Sequence, residues 1–171
     1  MDKDNLRVRL KSRPGYKYDQ SEYLIQQATY LFSIVLGDEA VFRNLLPVTW
    51  IFENGERPRT LEALVRRMHQ RYCTWSAVAT TSPVQNSAWY QRIQAIQDDF
   101  KWDRMGPLFL TPVKGSKKNG AAEGVELEGS PTASFSIING VHCALAAMTL
   151  LEGGTPFQPF EAILVLPRVD Y

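Results

Sequence analysis

Residues 134–151 read SFSIINGVHCALAAMTLL, the most informative run of side chains in the chain. The alternating apolar residues up to Ile138 predict a β-strand, and the pair Asn139-Gly140 predicts a sharp turn. The apolar residues 141–151 predict a helix that begins directly after this turn. Such a junction points backbone N–H groups and the positive end of the helix dipole at one place. The stretch therefore indicates a site that binds an anion such as phosphate.

Two chemically active side chains, His142 and Cys143, occupy the first turn of this predicted helix. A helix N-terminus favours thiolate, so we expect the pKa of Cys143 to be lowered, as in a thiol or redox enzyme. It disfavours an imidazolium cation, so His142 is expected to act as a neutral donor or base. The alternative is structural: the histidine bonds to a nearby loop and the cysteine packs in the core. No second motif identifies a base that would activate Cys143 as a nucleophile.

The composition favours one globular domain over residues 1–171. The chain is 44% hydrophobic, and a chain of this length buries roughly 70% of its unfolded surface without the help of a metal or disulfide. Its net charge of +1 does not indicate a whole-surface polyanion binder, so nucleic-acid binding would require a local basic patch. The chain has two cysteines, Cys73 and Cys143; this leaves a disulfide open but does not describe a secreted scaffold. No spacing of His and Cys indicates a metal site.

The location expected from the sequence is the cytoplasm. Residues 1–15 are polar and basic and do not have the apolar segment of a signal peptide. No apolar run approaches the length of a membrane span, so no membrane insertion is expected.

The N-terminal part, at about 19–99, is predicted to be mainly helical. Alternating residues 6–10 suggest an edge strand within a basic arm, which is either solvated or in contact with phosphate. Helical spacing of apolar residues then predicts helices at 19–36 and 39–45. The β-branched residues before the next turn predict a short strand at 48–52.

The most concentrated basic surface lies on a helix predicted at 61–72, with Thr60 as its N-cap. It carries Arg66, Arg67 and Arg71. The simpler interpretation is the solvated face of an amphipathic helix. The functional interpretation is contact with the DNA backbone, where each arginine adds salt-dependent affinity.

The C-terminal part, at about 99–171, is predicted to contain the sheet. After a helix at 87–99, antiparallel strands are expected at 108–113 and 133–138, joined by a long polar loop. This loop, at 114–131, contains Lys114, Lys117 and Lys118. The apolar residues 161–166 predict a buried central strand, parallel to the strand before the last helix through a right-handed crossover. The fold class is therefore α+β, a small mixed sheet with flanking helices.

Residues 99–166 resemble the ParB/sulfiredoxin superfamily, in the order DFKWDRMGPLFLTPV, a loop, SFSIINGVHCALAAMTLL and FEAILVL. In that family a turn enters a strand, a hairpin returns to a glycine-histidine-arginine motif, and an alanine-rich helix leads to a final strand. The resemblance implies a ParB/sulfiredoxin-like core that binds the phosphates of nucleotides or acts on nucleic acid.

Compared with the family motif, the chain keeps Gly140 and His142 but departs from it at three neighbouring positions. Asn139 stands where aspartate or glycine is usual, and Cys143 stands where the phosphate-binding arginine is usual. Val141 stands where sulfiredoxin has its catalytic cysteine, so sulfiredoxin activity is not expected. The resemblance implies catalytic roles for His142, Asn139 and Cys143 and nucleotide contacts from Gly140 and Val141. Arg104, or the lysines of the polar loop, would supply the missing charge.

In size and architecture the chain is similar to plasmid fertility-inhibition factors of the Osa type. That similarity implies a nucleotide- and DNA-binding protein with ATPase or DNase activity, using ATP and a divalent cation such as Mg²⁺. The implied partners are DNA and a component of a conjugative type IV secretion system. The alternative is an inhibitor that keeps the fold, has lost the chemistry and acts by binding a protein.

Overall fold

The computed structural model of the chain describes residues 1–13, 18–47, 60–76, 88–102, 105–113 and 135–166. Within these ranges the chain forms an α+β structure with a mixed sheet, as predicted. The helices are α1 (Lys3–Lys11), α2 (Tyr18–Gln27), α3 (Glu39–Arg43), α4 (Leu61–Ser76), α5 (Ala88–Asp98) and α6 (Val141–Glu152). The strands are β1 (Tyr30–Leu36), β2 (Leu108–Pro112), β3 (Phe135–Asn139) and β4 (Phe160–Leu166).

The four strands lie in the order β1-β4-β2-β3. β4 is therefore central, as its apolar sequence predicted, and β2 and β3 form the predicted antiparallel pair. The predicted parallel crossover between β3 and β4 is wrong. β2 lies between these two strands and is parallel to β4 but antiparallel to β3, so β3 and β4 run in opposite directions.

Helices cover the two faces of the sheet, and side chains alternate along the strands between two cores. The larger core joins the sheet to α3–α6, and its strand residues are Leu36, Leu108, Leu110, Ile137, Phe160 and Ala162. The smaller core joins the opposite face to α1 and α2, and its strand residues are Leu31, Phe109, Ile138, Ile163 and Val165. None of the helices in the described ranges is both long and apolar enough to cross a bilayer.

Residues 6–10 are part of helix α1, so the predicted edge strand is wrong. The Asp2 side chain caps the helix by accepting from the Asp4 N–H at 3.1 Å. Leu6 and Leu10, four residues apart, are both fully buried, whereas Val8 between them is 70% exposed. Leu6 and Leu10 therefore lie on one face of a helix, where residues four positions apart are neighbours, and Val8 lies on another face. The sequence alternation that predicted a strand did not reveal which of these residues pack against the sheet.

Three arginines in α1 and just after it are paired with acids, so this segment is not the solvated arm that its composition suggested. Arg7 donates to Glu22 at 2.9 Å and to Asp4 at 2.7 Å, and the hydrogen bond that it donates to Glu22 is the main reason that its pKa is raised. Arg9 and Arg13 reach Glu161 of β4 at 2.7 and 3.2 Å. These pairs attach α1 to α2 and to the sheet.

The single helix predicted at 19–36 is also wrong, because it is divided into α2 and β1. The helix closes with the Ala28 N–H donating to the Leu24 carbonyl. The following residues Tyr30–Leu36 are mostly aromatic or branched, which suits a strand, and they pair antiparallel with β4. Leu31 and Val35 fit a helical and an extended pattern equally, so the pairing with β4 decides between them.

The remaining helix predictions are confirmed within a few residues. α3 and α5 lie within the predicted 39–45 and 87–99, and α4 begins after Thr60, whose hydroxyl accepts from the Ala63 N–H at 3.1 Å. α4 continues to Ser76, beyond its predicted end at residue 72. The strand predicted at 48–52 and the loop at 114–131 lie outside the described residues.

Trp102 is at the centre of an aromatic cluster in the larger core. Its ring centroid lies 5.1 to 6.2 Å from those of its neighbours Phe42, Phe100, Phe157 and Phe160. Trp102 is only 6% exposed, yet its indole Nε1 has no hydrogen-bond partner among the described residues. Ring packing, and not a hydrogen bond, therefore keeps this residue in place.

We predict that Trp102→Phe lowers the free energy of unfolding by less than about 1.5 kcal/mol, because the new void is partly offset by removal of an unsatisfied donor. Trp102→Ala should cost about 3–5 kcal/mol. Urea unfolding of both variants followed by circular dichroism measures the difference. A phenylalanine variant as unstable as the alanine variant would show that a smaller aromatic ring cannot maintain the cluster and would contradict the prediction.

Candidate functional site

Gly140 forms the turn between β3 and α6 and is the N-cap of α6, with φ of 95°. L side chains avoid this left-handed conformation. A Cβ atom on Gly140 would also lie 2.7 Å from Cδ2 of Leu108, the first residue of β2. Both the backbone angle and the close contact thus require glycine at this position.

In the described part of the chain, the N-cap of α6 is Gly140 and makes no side-chain cap hydrogen bond. The first intrahelical bond joins the Ala144 N–H to the Gly140 carbonyl, so the N–H groups of the preceding turn have no acceptor within the helix. Val141 is buried, whereas His142 and Cys143 are half-buried. The structure thus places together the predicted residues Asn139 to Cys143, with the positive end of the helix dipole in front of them.

Asn139 has a structural partner on the opposite helical layer. Its side-chain Nδ2 donates to the Ser21 hydroxyl at 3.0 Å, and Ser21 on α2 is fully buried. The predicted catalytic role of Asn139 rests on the resemblance alone, whereas this bond gives its amide a clear role in attaching the turn to α2.

Cys143 does not have the lowered pKa that was predicted for it. Burial against the larger core raises the pKa of its thiol, and the positive charge of Arg92 lowers it by less. The helix N-terminus would favour thiolate in an exposed position, but desolvation dominates at this half-buried site. Cys143 is thus a protonated packing residue at neutral pH. It is a free cysteine, and the Cys73 side chain lies outside the described part of the chain.

Arg92, on α5, is a site residue that the sequence did not reveal. α5 packs against α6, the Arg92 side chain is exposed, and its charge acts on the Cys143 thiol. Cys143 is the position at which the resembled motif has its arginine. A positive charge is therefore present near this position, but it comes from a neighbouring helix. No motif or spacing marks Arg92, because its nearness depends on the packing of two helices.

The predicted basic face of α4 is partly neutralised by acids. Arg66 lies 2.8 Å from Glu62 and 3.9 Å from Glu152, and Arg67 is half-buried. These contacts reduce the positive charge that the face presents to a polyanion.

Arg43 of α3 joins the same acidic group. It bonds to Glu39, Glu62 and Glu152 at 2.7, 3.1 and 2.6 Å. Burial alone would lower its pKa, but the hydrogen bonds to Glu152 and Glu39 outweigh this and raise it. The cluster links α3, α4 and α6. A shallow cavity of about 400 Å³ next to it is lined by Ala40, Arg43, Asn44, Thr60, Glu62, Ala63 and Arg66.

The other predicted binding residues lie outside the described residues. They are Arg104, Lys114, Lys117, Lys118 and the side chain of Arg71. In the part of the chain that the structure does describe, no group of three or more His, Cys, Asp and Glu side chains is placed to hold a metal ion.

Comparison with known proteins gives no relative: no family model matches the chain, and no curated protein or solved structure is significantly similar to it.

We predict that Gly140→Ala destabilises the protein by about 2–5 kcal/mol. The left-handed backbone contributes about 1–2 kcal/mol and the contact with Leu108 about 1–3 kcal/mol. Gly154→Ala is the matched control, because Gly154 has a similar φ of 92° but open space around its Cα. Gly154→Ala should lower the free energy of unfolding only by the about 1–2 kcal/mol that the left-handed backbone contributes. Urea unfolding of both variants measures the difference, and equal losses would show that the Leu108 contact is unimportant.

We predict that Cys143 becomes less stabilising as the pH rises. The thiol loses its proton near pH 8.5 in an unfolded chain but at higher pH in the folded protein, where its pKa is raised. Above about 8.5 the unfolded state therefore binds fewer protons, and the free energy of unfolding falls.

The measurement is thiolate absorbance during a pH titration of the Cys73→Ser variant, with Cys73→Ser/Cys143→Ala as the blank. The difference in unfolding free energy between these two proteins should also decrease from pH 8 to pH 10. Half-titration of Cys143 at or below the ordinary pKa of a thiol would contradict the assignment.

Proposed function

We propose that this chain is a ParB/sulfiredoxin-like protein that binds a phosphate group of a nucleotide or of DNA at the turn before α6. The observation that carries the proposal is the positive charge of Arg92 beside the first turn of α6. In this proposal Arg92 binds the phosphate in place of the motif arginine, whose position in this chain is occupied by Cys143.

The local chemistry suits a phosphate oxygen. Gly140, the N-cap of α6, makes no side-chain cap hydrogen bond, and the backbone N–H groups and the dipole at a helix N-terminus favour an anion. Gly140 has no side chain, so a ligand can approach the backbone closely. The guanidinium of Arg92 on α5 would add charge-assisted hydrogen bonds, which are stronger than hydrogen bonds between neutral groups.

The arrangement supports binding better than turnover. Asn139 is held by Ser21, and Cys143 is protonated because burial raises its pKa. His142 is the remaining motif side chain with acid–base chemistry. ATPase or DNase activity with Mg²⁺ is thus proposed as a weak property that depends on His142. In the cell we propose a role in restricting plasmid DNA transfer, following the resemblance to fertility-inhibition factors.

The test is fluorescence anisotropy with a labelled ATP analogue and with a short labelled DNA duplex, at low and at physiological salt. Arg92→Ala should weaken phosphate binding by about 10- to 150-fold, because a hydrogen bond to a charged group contributes about 1.5–3 kcal/mol. Arg92→Lys should lose less, because it keeps the charge but not the planar fork. Affinity for both ligands should fall as salt is raised.

Arg66→Ala is the matched control, because Arg66 is also exposed but is paired with Glu62 at 2.8 Å. It should change the affinity less than about twofold. If Arg66→Ala weakens DNA binding and Arg92→Ala does not, the ligand binds the face of α4 and the proposed site is wrong. Circular dichroism of each variant checks that the fold is intact.

The second candidate is an inhibitor without a phosphate site, which acts by binding a component of a conjugative secretion system. It is favoured by the structural surroundings of Asn139 and Cys143. Under this alternative the wild-type protein binds neither ATP nor DNA at low salt, whereas it still binds the purified secretion component.

A further inference from the structure

β1 is an edge strand with little protection against pairing. Its sequence, YLFSIVL, contains no charged residue, proline or glycine, the usual devices that keep an edge from pairing. Tyr30, Phe32 and Val35 are 62%, 46% and 74% exposed. Large apolar side chains therefore lie in solvent on both faces of this strand.

The other edge of the sheet is covered. Outside β3, the Leu46 N–H donates to the Phe135 carbonyl and the Ile137 N–H donates to the Leu46 carbonyl, both at 2.9 Å. Among the described residues no strand pairs with the outer side of β1. β1 is thus the open edge of the described sheet.

We propose that two copies of the chain associate through β1, antiparallel about a twofold axis at Ser33, to join their sheets. In this register Phe32 lies opposite Ile34 of the second copy, and Tyr30 lies opposite its Leu36. Each apolar side chain thus meets another, and the small Ser33 side chains meet at the axis. An isologous interface of this kind needs a self-complementary strand, which the sequence of β1 provides.

The charges near the two ends of β1 favour this direction. Near its start, the Lys3 ammonium donates to the Gln26 carbonyl at 3.3 Å. Just after its end lie two acids: Asp38, which caps α3 by accepting from the Ala40 N–H at 2.8 Å, and Glu39, which accepts from Arg43 at 2.7 Å. Each carboxylate has further acceptor positions for a cation of the second copy. Antiparallel pairing brings Lys3 of one copy toward these acids of the other, whereas parallel pairing would bring like charges together.

The other groups near the start of β1 are compatible with this pairing. The carboxylates of Asp2 and Asp4 are engaged with the Asp4 N–H and with Arg7. The Met1 amino group donates to the Leu31 carbonyl at 2.7 Å; in the dimer the Val35 N–H of the second copy would replace it on this outward-facing carbonyl, and the ammonium would move into solvent.

The first measurement is sedimentation velocity over a range of protein concentrations. The wild-type protein should form a dimer, and Phe32→Lys/Val35→Lys should raise the dimer dissociation constant by more than about tenfold, because charges on an edge strand prevent pairing. Val8→Lys is the matched control: Val8 is 70% exposed and lies on α1, not on β1, and its variant should dimerise normally. Lys3→Glu should weaken the dimer, because it places a negative charge opposite the acids of the other copy.

The second measurement tests the register by oxidation with diamide in a Cys73→Ser background. Two Ser33→Cys residues at the axis would have Cβ atoms about 4.5–5.5 Å apart, close to disulfide reach, and should crosslink. Two Val35→Cys residues would lie about 13 Å apart and should not. A wild-type monomer at every concentration, a dimer unaffected by Phe32→Lys/Val35→Lys, or equal crosslinking at both positions overturns the proposal.

Discussion

The burial of β4 on both faces is the constraint on which the rest of the structure depends. β4 pairs with β1 on one side and with β2 on the other. Phe160 and Ala162 belong to the larger core, whereas Ile163 and Val165 belong to the smaller core. Because β4 supplies side chains to both cores, each helical layer packs in part against this one strand. Apolar side chains on both faces are the usual mark of such a strand.

Ion pairs then attach the helices to this framework, and they use several of the arginines that composition alone would assign to DNA. Glu161 holds Arg9 and Arg13 against the sheet, and Arg43 joins acids from α3, α4 and α6. A basic sequence segment is therefore a poor guide to basic surface in this protein. The charge of Arg92 is notable for a different reason: it acts beside the N-terminus of α6.

The candidate site combines a local part and a non-local part. The left-handed Gly140 and the first turn of α6 are contiguous in sequence, so the motif could be recognised from residues 139–143. The Ser21 bond to Asn139 comes from α2 and the Arg92 charge comes from α5. Contacts of this kind depend on how helices pack, which no local pattern specifies. The raised pKa of Cys143 could not be predicted from the local sequence either, because it results from burial of the thiol in the assembled core.

Periodicity, turn chemistry and apolar runs in the sequence by themselves determined the α+β class, the β2/β3 hairpin, the turn at Gly140, the start of α6 and the central β4. These features depend on interactions between near neighbours and on which side of an element is apolar. The tertiary structure alone decided that Tyr30–Leu36 is a strand, that Lys3–Lys11 is a helix and that β3 and β4 run in opposite directions. Residues such as Leu31 and Val35 satisfy a helical and an extended period equally, and pairing with β4, more than a hundred positions away, resolves the choice.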